Sequence, residues 1–153
     1  MTTARNVHQS HTACATGRSW NPDGARGLAG KHILVVDDDA DTRLLIELIF
    51  KKASAVVQAA ACAEDAFASL RDFRPQLVVS DINMPGENGC ALMRRIRELA
   101  EESGGLTPAI ALSANEGSAE QREALRAGFT VFLKKPVAVA NLIETALAVT
   151  SSR

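Results

Sequence analysis

Short apolar runs alternate with amphipathic stretches along the chain from residue 31 onward. Five runs have little polar interruption: HILVV at 32–36, AVVQA at 55–59, QLVVS at 76–80, PAIAL at 108–112 and TVFL at 130–133. Such runs are typical of strands that are covered on both faces. The stretches at 40–52, 63–71, 88–102, 117–127 and 137–150 have helical character. This strict alternation implies right-handed crossovers, so the sequence predicts a doubly wound α/β domain with a five-stranded parallel sheet and five helices.

Residues 1–30 lack this pattern. They contain few large apolar residues and no periodicity, whereas Ser, Thr, Gly and Arg are frequent. A segment of this composition cannot bury enough apolar surface to fold by itself. We therefore expect a flexible N-terminal tail at 1–30, one domain at 31–150 and a short C-terminal tail at 151–153.

Composition narrows the classes of partner. The 153 residues include 17 basic and 18 acidic side chains, a formal net charge of -1, so no strong overall field attracts nucleic acid or anionic lipid. The three cysteines, Cys14, Cys62 and Cys90, are odd in number and widely spaced, which indicates a reducing compartment and no disulfide framework. No apolar stretch is long enough to span a membrane. We expect a cytoplasmic protein with neither nucleic acid nor membrane among its partners.

Polar residues follow four of the five predicted strands. In a doubly wound sheet the binding groups gather outside the carboxyl ends of the strands. The residues expected there are Asp37, Asp38 and Asp39 after the first strand; Asp81, Asn83, Met84, Pro85 and Gly86 after the third; Ser113, Ala114 and Asn115 after the fourth; and Lys134, Lys135 and Pro136 after the fifth. Acids, a hydroxyl group and an ammonium group should therefore converge on one edge.

Clustered acids raise an electrostatic problem. Two carboxylates ~4 Å apart repel by about 4 kcal/mol at an effective dielectric constant near 20. A hard divalent cation would reverse the sign, and carboxylate or carbonyl oxygens completed by water commonly hold Mg²⁺. Asp37, Asp38 and Asp81 thus suggest a site for Mg²⁺ or Mn²⁺. For Asp39 and Asp41 we favour another role, capping of the helix that begins near residue 42.

Four fragments taken together resemble the receiver domain of two-component response regulators. They are LVVDDD at 34–39, VVSDINMPGENG at 78–89, ALSAN at 111–115 and FLKKPV at 132–137, and the resemblance covers residues 32–150. It extends to the receivers of hybrid histidine kinases. The resemblance implies a flavodoxin-like sheet with strand order 2-1-3-4-5.

The same resemblance implies roles for the acids. Asp81, which precedes the M-P-G turn, matches the phosphoacceptor that takes a phosphoryl group from phosphohistidine, because a carboxylate can act as a nucleophile. Asp37 and Asp38 match the metal-binding pair, with the backbone carbonyl of Asn83 as a further ligand. The alternative for Asp81 is a turn-initiating residue that caps the following loop.

Other positions match the phosphoryl-binding and switch residues of the family. Lys135 would pair with the acids and later with the phosphoryl oxygens, and Pro136 permits a cis peptide bond after it. Ser113 and Ala114 match the phosphoryl-binding switch segment, and Phe132 matches the switch aromatic residue. Asn83 and Asn115 match positions that influence phosphoryl lifetime. The plainer alternatives are a strand-ending serine, a core phenylalanine and a solvated lysine.

The resemblance also implies partners. A histidine kinase or a histidine phosphotransfer protein would dock on the first helix, TRLLIELIFKK, whose apolar residues cover roughly 240° of its circumference at 100° per residue. Either part of that surface is exposed or long neighbouring side chains cover it. The last helix, VAVANLIETALAV, could form a partner or dimer face, so we expect a monomer or weak dimer. Nothing follows residue 153 in the sequence, and the N-terminal tail cannot fold into a DNA-binding or catalytic module. We therefore expect no output domain, and we expect the signal to pass by contact to an unknown downstream protein.

Two other functions remain open at this point. A haloacid dehalogenase-like phosphohydrolase also uses an Asp nucleophile in a D-x-D motif, which Asp37 to Asp39 superficially fit. That family needs an acidic metal pair after its lysine, however, and beyond Lys135 the only acid is Glu144. A phosphate-independent interaction module is the other alternative. If the receiver resemblance holds, the chain is not an enzyme beyond catalysing its own phosphorylation and dephosphorylation.

Overall fold

Five strands and five helices alternate in the computed structural model, which describes residues 27–115 and 117–151. The strands are β1 (His32–Val36), β2 (Val56–Ala60), β3 (Leu77–Asp81), β4 (Ala109–Ser113) and β5 (Val131–Lys134). The helices are α1 (Ala40–Lys52), α2 (Ala63–Phe73), α3 (Gly89–Arg97), α4 (Ser118–Ala127) and α5 (Val139–Ser151). A short 3-10 helix, Glu101–Ser103, follows α3. The predicted alternation of strand and helix is confirmed.

All strand pairs are parallel, and their order is β2-β1-β3-β4-β5. This is the flavodoxin-like order implied by the receiver resemblance. In the register, Asp81 pairs with Leu112 and Ser113 pairs with Lys134. The last residues of β3, β4 and β5 therefore stand side by side at the carboxyl edge.

Apolar side chains fill both faces of the central strands. Every residue of β3 and β4 is buried. The edge strand β2 differs, because it pairs only with β1 and Val56 is 46% exposed. The other edge strand, β5, contains no buried residue. The expectation that all five strands are covered on both faces is therefore wrong for both edge strands, where the apolar runs reflect β propensity rather than complete burial.

The third helix is shorter than the predicted 88–102. It ends at Arg97, and the chain then turns through Glu101–Ser103. The Arg97 guanidinium donates to the carbonyl oxygens of Gly105 at 3.0 Å and Gly128 at 2.7 Å, so two later loops close over the end of α3. Helical periodicity carries no information about such distant acceptors.

The packed domain begins before residue 31. Leu28 is fully buried in the core cluster beside α5, and the amide of Gly30 donates to the carbonyl of Ser54 at 2.9 Å. These contacts correct the expectation of a free tail for residues 27–30. At the other end Ser151 closes α5 instead of opening a tail. Residues 1–26, which include Cys14 and Trp20, and residues 152–153 lie outside the described residues.

One face of α1 is apolar and exposed. Leu44, Leu45 and Leu48 are 54%, 58% and 52% exposed, whereas Ile46 and Phe50 point into the core. Of the two possibilities for this helix, exposure is the one observed. Within the ranges that the structure describes, no helix combines the length and apolarity needed to cross a membrane.

Candidate phosphoacceptor site

An ammonium group bridges two carboxylates at the carboxyl edge. Lys135 follows β5, and its Nζ lies 3.0 Å from Asp37 Oδ2 and 3.4 Å from Asp81 Oδ1. Asp37 has no exposed surface and Asp81 is 6% exposed. Since buried charges are stable only when they are paired, the lysine is what permits two acids to be buried so close together.

The acids form a cluster that suits a hard cation. Asp37, Asp38 and Asp81 each present a ligand atom, and these atoms all lie within 4.8 Å of one another. Asp38 is exposed and so gives the cluster an opening to solvent. One ammonium against three carboxylates leaves excess negative charge. An all-oxygen donor set of this charge fits Mg²⁺ or Mn²⁺.

The pKa values of the two ionisable groups at the centre are both raised, which disfavours the charged form of Asp81 and favours the charged form of Lys135. Burial raises the pKa of Asp81 and the charge of Asp37 adds to the rise, although Lys135 opposes both. For Lys135, burial lowers the pKa, but the hydrogen bond to Asp37 and the charges of Asp81 and Asp37 together raise it above 10.5. The lysine is thus a fixed cation at neutral pH, whereas the ionised form of Asp81 is held at a cost in free energy.

The first loop is fixed by a helix cap. Asp39 is the N-cap of α1, where its Oδ2 accepts from the Thr42 amide at 2.9 Å, as we favoured for this residue. The amide of Asp39 donates to Asp37 Oδ1 at 2.9 Å, and Arg43 Nη1 donates to the Asp37 carbonyl at 2.8 Å. The Thr42 hydroxyl and amide lower the pKa of Asp39. Asp41 lies in the first turn of α1. The cap thereby holds the backbone that carries Asp37.

Two glycines shape the loop that follows Asp81. Gly86 has φ +75°, which an L side chain rarely adopts. A Cβ at Gly89 would lie 2.3 Å from the Asp81 carbonyl oxygen, so only glycine permits α3 to begin so close to the acid. The amide of Asn83 faces Asp81 Oδ1 at 3.4 Å. The loop therefore folds back tightly around the carboxylate.

The hydroxyl of Ser113 lies beside this centre in a hydrogen-bond cluster of its own. Ser113 is fully buried, and its Oγ accepts from Asn83 Nδ2 at 3.3 Å and from the Asn115 amide at 3.1 Å. It donates to Glu120 Oε1 at 2.6 Å. Ala114 and the Asn115 side chain are exposed. Sequence reasoning missed Glu120; the available signal was a glutamate at the third position of a helix that begins after Gly117.

Two other expectations concern the fifth strand and its loop. The Lys135–Pro136 peptide bond is cis, as Pro136 permits. Phe132 is partly buried and packs against the core cluster on the side of α3 and α4. The position agrees with the core-packing alternative and also leaves part of the ring at the surface.

A second ion pair that sequence reasoning missed ties the β3–α3 loop to the helices. Arg95 Nη1 lies 2.7 Å from Glu87 Oε1 and 3.9 Å from Glu64 Oε1, and its guanidinium carbon stands 4.0 Å above the centre of the Phe67 ring. Glu87 and Arg95 are eight positions apart, and the chain between them covers the end of a loop and about two turns of helix. No periodic pattern connects such positions, so the pair is visible only in the fold.

A flavodoxin-like domain with a carboxylate cluster, a bridging lysine and a buried hydroxyl at its carboxyl edge defines the receiver class of signalling proteins. The family model described as "Response regulator receiver domain" matches residues 33–147, and the chain belongs to this family. The family assignment excludes the haloacid dehalogenase alternative. Receivers are signalling modules, which agrees with the expectation that the chain is not an enzyme in the usual sense.

Two curated relatives show how far the similarity extends along the chain. It is 43% identical over 116 residues to an uncharacterized 14.6 kDa protein of Leptolyngbya boryana, covering 76% of this chain and 87% of that one. It is also 38% identical over 110 residues to the regulator of RpoS of Escherichia coli K12, and this match covers 72% of this chain. The chain spans only 32% of that regulator.

A solved relative carries a metal at the corresponding kind of site. The receiver domain of the sensor histidine kinase PA1611 of Pseudomonas aeruginosa PAO1, with magnesium coordinated in its active site cleft, superposes with a TM-score of 0.73. It is 28% identical, and the match covers 80% of this chain and 99% of that one. The acidic cluster of this chain and the magnesium in that cleft agree in their chemistry.

Proposed function

We propose that this receiver takes a phosphoryl group from a phosphohistidine onto Asp81 and relays the signal by changing its protein contacts. The observation that carries the proposal is the position of Lys135, whose ammonium touches both Asp37 and Asp81. A structural ion pair needs one acid, whereas a phosphoryl site needs a cation that can serve several oxyanions in turn. The proposed donor is a histidine kinase or a histidine phosphotransfer protein.

The chemistry requires an ionised nucleophile. One carboxylate oxygen of Asp81 would bond to phosphorus as the bond from phosphorus to the histidine nitrogen breaks, and the released imidazole would take up a proton from solvent. Burial disfavours the ionised form of Asp81, and the charge and hydrogen bond of Lys135 counteract that effect. Lys135 would then stabilise the phosphoryl oxygens after transfer.

Asp37, Asp38, Asp81 and the backbone carbonyl of Asn83 are the residues that would hold Mg²⁺. The cation, when bound, supplies positive charge that offsets the charges of the acids and of the incoming phosphoryl group. The chain itself fixes the Asp37 carboxylate in position by hydrogen bonds. Its two side-chain oxygens are already committed to Lys135 and to the Asp39 amide, so it is held in place before any ligand arrives.

The output of the switch would come from β4, α4 and β5. A phosphoryl group on Asp81 would recruit the hydroxyl of Ser113, with Ala114 in the loop that moves and Phe132 changing its packing. Asn83 and Asn115, polar and uncharged, would leave attacking water a path to the phosphoryl group and so affect its lifetime. The downstream partner would read this surface. We further propose a cytoplasmic location and a monomer or weak dimer.

The test of the chemistry is phosphorylation by a small phosphodonor such as acetyl phosphate with Mg²⁺, followed by intact-protein mass spectrometry. Wild type should gain about 80 Da, the mass of an added HPO₃ group on an acyl-phosphate acceptor. Asp81→Asn should gain nothing, and the control Asp72→Asn, which changes an exposed acid of α2, should label normally. Chelation of the metal should abolish labelling.

The possible outcomes separate the proposals. Equal labelling of Asp81→Asn would move the acceptor to another residue. Failure of the wild-type chain to label would favour the phosphate-independent interaction module. Labelling that survives chelation would remove the role of the metal without affecting that of Asp81.

The donor surface can be tested separately. The exposed leucines lie on α1, the helix that begins directly after the loop carrying Asp37 and Asp38, and they would pack against the helical bundle of the donor. Leu48→Glu should slow transfer from a phosphohistidine protein that labels wild type by about tenfold, a typical loss for a central interface residue. Labelling by acetyl phosphate should not change. The matched control is Leu125→Glu on α4, which is 45% exposed; equal slowing in both variants would contradict docking on α1.

A further inference from the structure

The hydroxyl group of Ser113 has no capacity left for another hydrogen bond. A serine hydroxyl offers one proton and two acceptor sites. The acceptor sites are used by Asn83 Nδ2 and the Asn115 amide, and the proton is given to Glu120. Because Ser113 is fully buried, water does not replace any of these partners. A new acceptor can take the proton only if Glu120 gives it up.

The bond to Glu120 is of the strong kind. Its length, 2.6 Å, falls in the range of about 2.5–2.7 Å that is typical of a hydroxyl donating to a carboxylate, and such bonds are roughly twice as strong as neutral ones. Glu120 lies in the first turn of α4, where the helix dipole favours a negative charge. The N-cap residue, Gly117, supplies no side-chain cap. The glutamate therefore joins the start of α4 to the end of β4.

This arrangement places the hydroxyl between two sets of acids. On one side, Asn83 links it to Asp81 through the amide that faces Oδ1 at 3.4 Å. On the other side stands Glu120, which belongs to a different element and which the cluster around Lys135 does not include. A phosphoryl group on Asp81 would bring further negative charge to the first side and would compete for the same proton.

We propose that Glu120 is a positioning residue that holds the Ser113 proton away from Asp81 until a phosphoryl group displaces it, so that phosphorylation releases the first turn of α4. The inference rests on the proposed function of Asp81. It adds that Glu120 competes with the phosphoryl group for the Ser113 proton. The phosphoryl group must then replace the Glu120 carboxylate, and not a water molecule, as the acceptor of that proton.

The test uses beryllofluoride, a non-covalent phosphoryl mimic, titrated with Mg²⁺ into the full chain and followed by calorimetry. Glu120→Ala removes the competing acceptor and should tighten binding by about tenfold, as expected for loss of a charge-assisted bond. Glu120→Gln keeps an acceptor without the charge and should tighten binding by about threefold. The control Glu123→Ala, which removes an exposed partner of Arg94 one helical turn along α4, should not change the affinity.

A double-mutant cycle identifies the route of the effect. In a Ser113→Ala background there is no proton to compete for, so Glu120→Ala should leave the affinity unchanged. A merely structural role in α4 would act equally in both backgrounds. The proposal is overturned if Glu120→Ala fails to tighten binding in the wild-type background, or if the gain persists without the Ser113 hydroxyl. Absence of binding by the wild-type chain would instead overturn the proposed function of Asp81, and this inference with it.

Discussion

Ser113 ends β4 and Lys135 follows the neighbouring strand β5. Both side chains bind carboxylate groups, but the carboxylates belong to different parts of the molecule. Lys135 bonds to Asp37 and Asp81, the acids of the proposed site itself. Ser113 bonds to Glu120, an acid outside it. In the proposed reaction the lysine would act on a phosphoryl group without leaving its partners, whereas the serine would have to exchange one acceptor for another. One half of the site is preorganised, and the other half is held in a resting arrangement.

The largest expected effect comes from removal of the fixed cation. Lys135→Ala leaves the buried Asp37 and Asp81 without their shared partner, and loss of one member of a buried ion pair costs about 3 kcal/mol of unfolding free energy. Urea denaturation at pH 7 in metal-free buffer measures this, with the exposed Lys52→Ala as the control. A loss no greater than that of the control would show that the acids are not held by the lysine.

The pH dependence of the same variant has a definite sign. The folded-state pKa of Lys135 is raised above 10.5, so its contribution to stability is fully present below pH 10.5 and is lost only as the pH rises through the folded-state value. The difference in unfolding free energy between wild type and Lys135→Ala should therefore stay constant from about pH 7 to pH 9 and shrink in stronger alkali.

A smaller loss of stability is expected from a change in the loop between Asp81 and α3. Gly89→Ala sets a Cβ against the Asp81 carbonyl oxygen, a backbone atom that cannot rotate away, so the loop has to shift at a cost of about 2 kcal/mol. The shift should also slow labelling by acetyl phosphate, since Asp81 moves with its backbone. Gly117→Ala, where a Cβ meets nothing within 4 Å, is the matched control. Unchanged stability and labelling would mean that the loop tolerates displacement.

Neutralising the proposed acceptor should stabilise the metal-free protein by about 1 kcal/mol at pH 7, because Asp81→Asn removes a charge that burial and Asp37 both disfavour. The raised pKa of Asp81 means that the folded state binds the proton more tightly than the unfolded state. Wild type should thus lose stability relative to Asp81→Asn as the pH rises from 3.8 through the folded-state pKa. Thermal unfolding over a series of pH values gives the comparison; a difference independent of pH would contradict it.

The smallest effect on stability is expected from removal of the Ser113 hydroxyl group. Ser113→Ala removes the hydrogen bonds of the hydroxyl to Asn83, Asn115 and Glu120. All three partners are exposed or partly exposed, so water can solvate them instead, and unfolding free energy should fall by only about 1 kcal/mol. Beryllofluoride affinity should nevertheless fall, since the hydroxyl is a proposed ligand of the phosphoryl group. A large loss of stability with unchanged affinity would show that the Ser113 hydroxyl serves the fold and does not bind the phosphoryl group.

The sequence sufficed for the architecture because the local signals agree with one another. The bounds of β1 and α1 match the predicted ranges residue for residue, and the other strands are displaced by one residue, since the exact ends depend on pairing register. Asp81 and Lys135 could be expected to meet because parallel strands bring their carboxyl ends to one edge. Their atomic pairing required the fold.

The remaining features depend on contacts between distant elements. The end of α3 is set by carbonyls of two later loops that bind Arg97. Glu120 reads in the sequence as an ordinary acid in a first helical turn, and only the packing of α4 against β4 brings it to Ser113. Leu28 sits among small and polar residues that give no sign of its complete burial. Tertiary partners of this kind leave no local trace.

The complete burial of Leu28 fixes where the chain enters the domain. Gly27 lies so close to α5 that a Cβ there would come within 2.7 Å of Leu147 Cδ2. Both α5 and the segment entering β1 therefore meet at the amino end of the sheet, away from Asp81. The described part of the chain therefore begins and ends on one side of the sheet, opposite the carboxyl edge that carries Asp81.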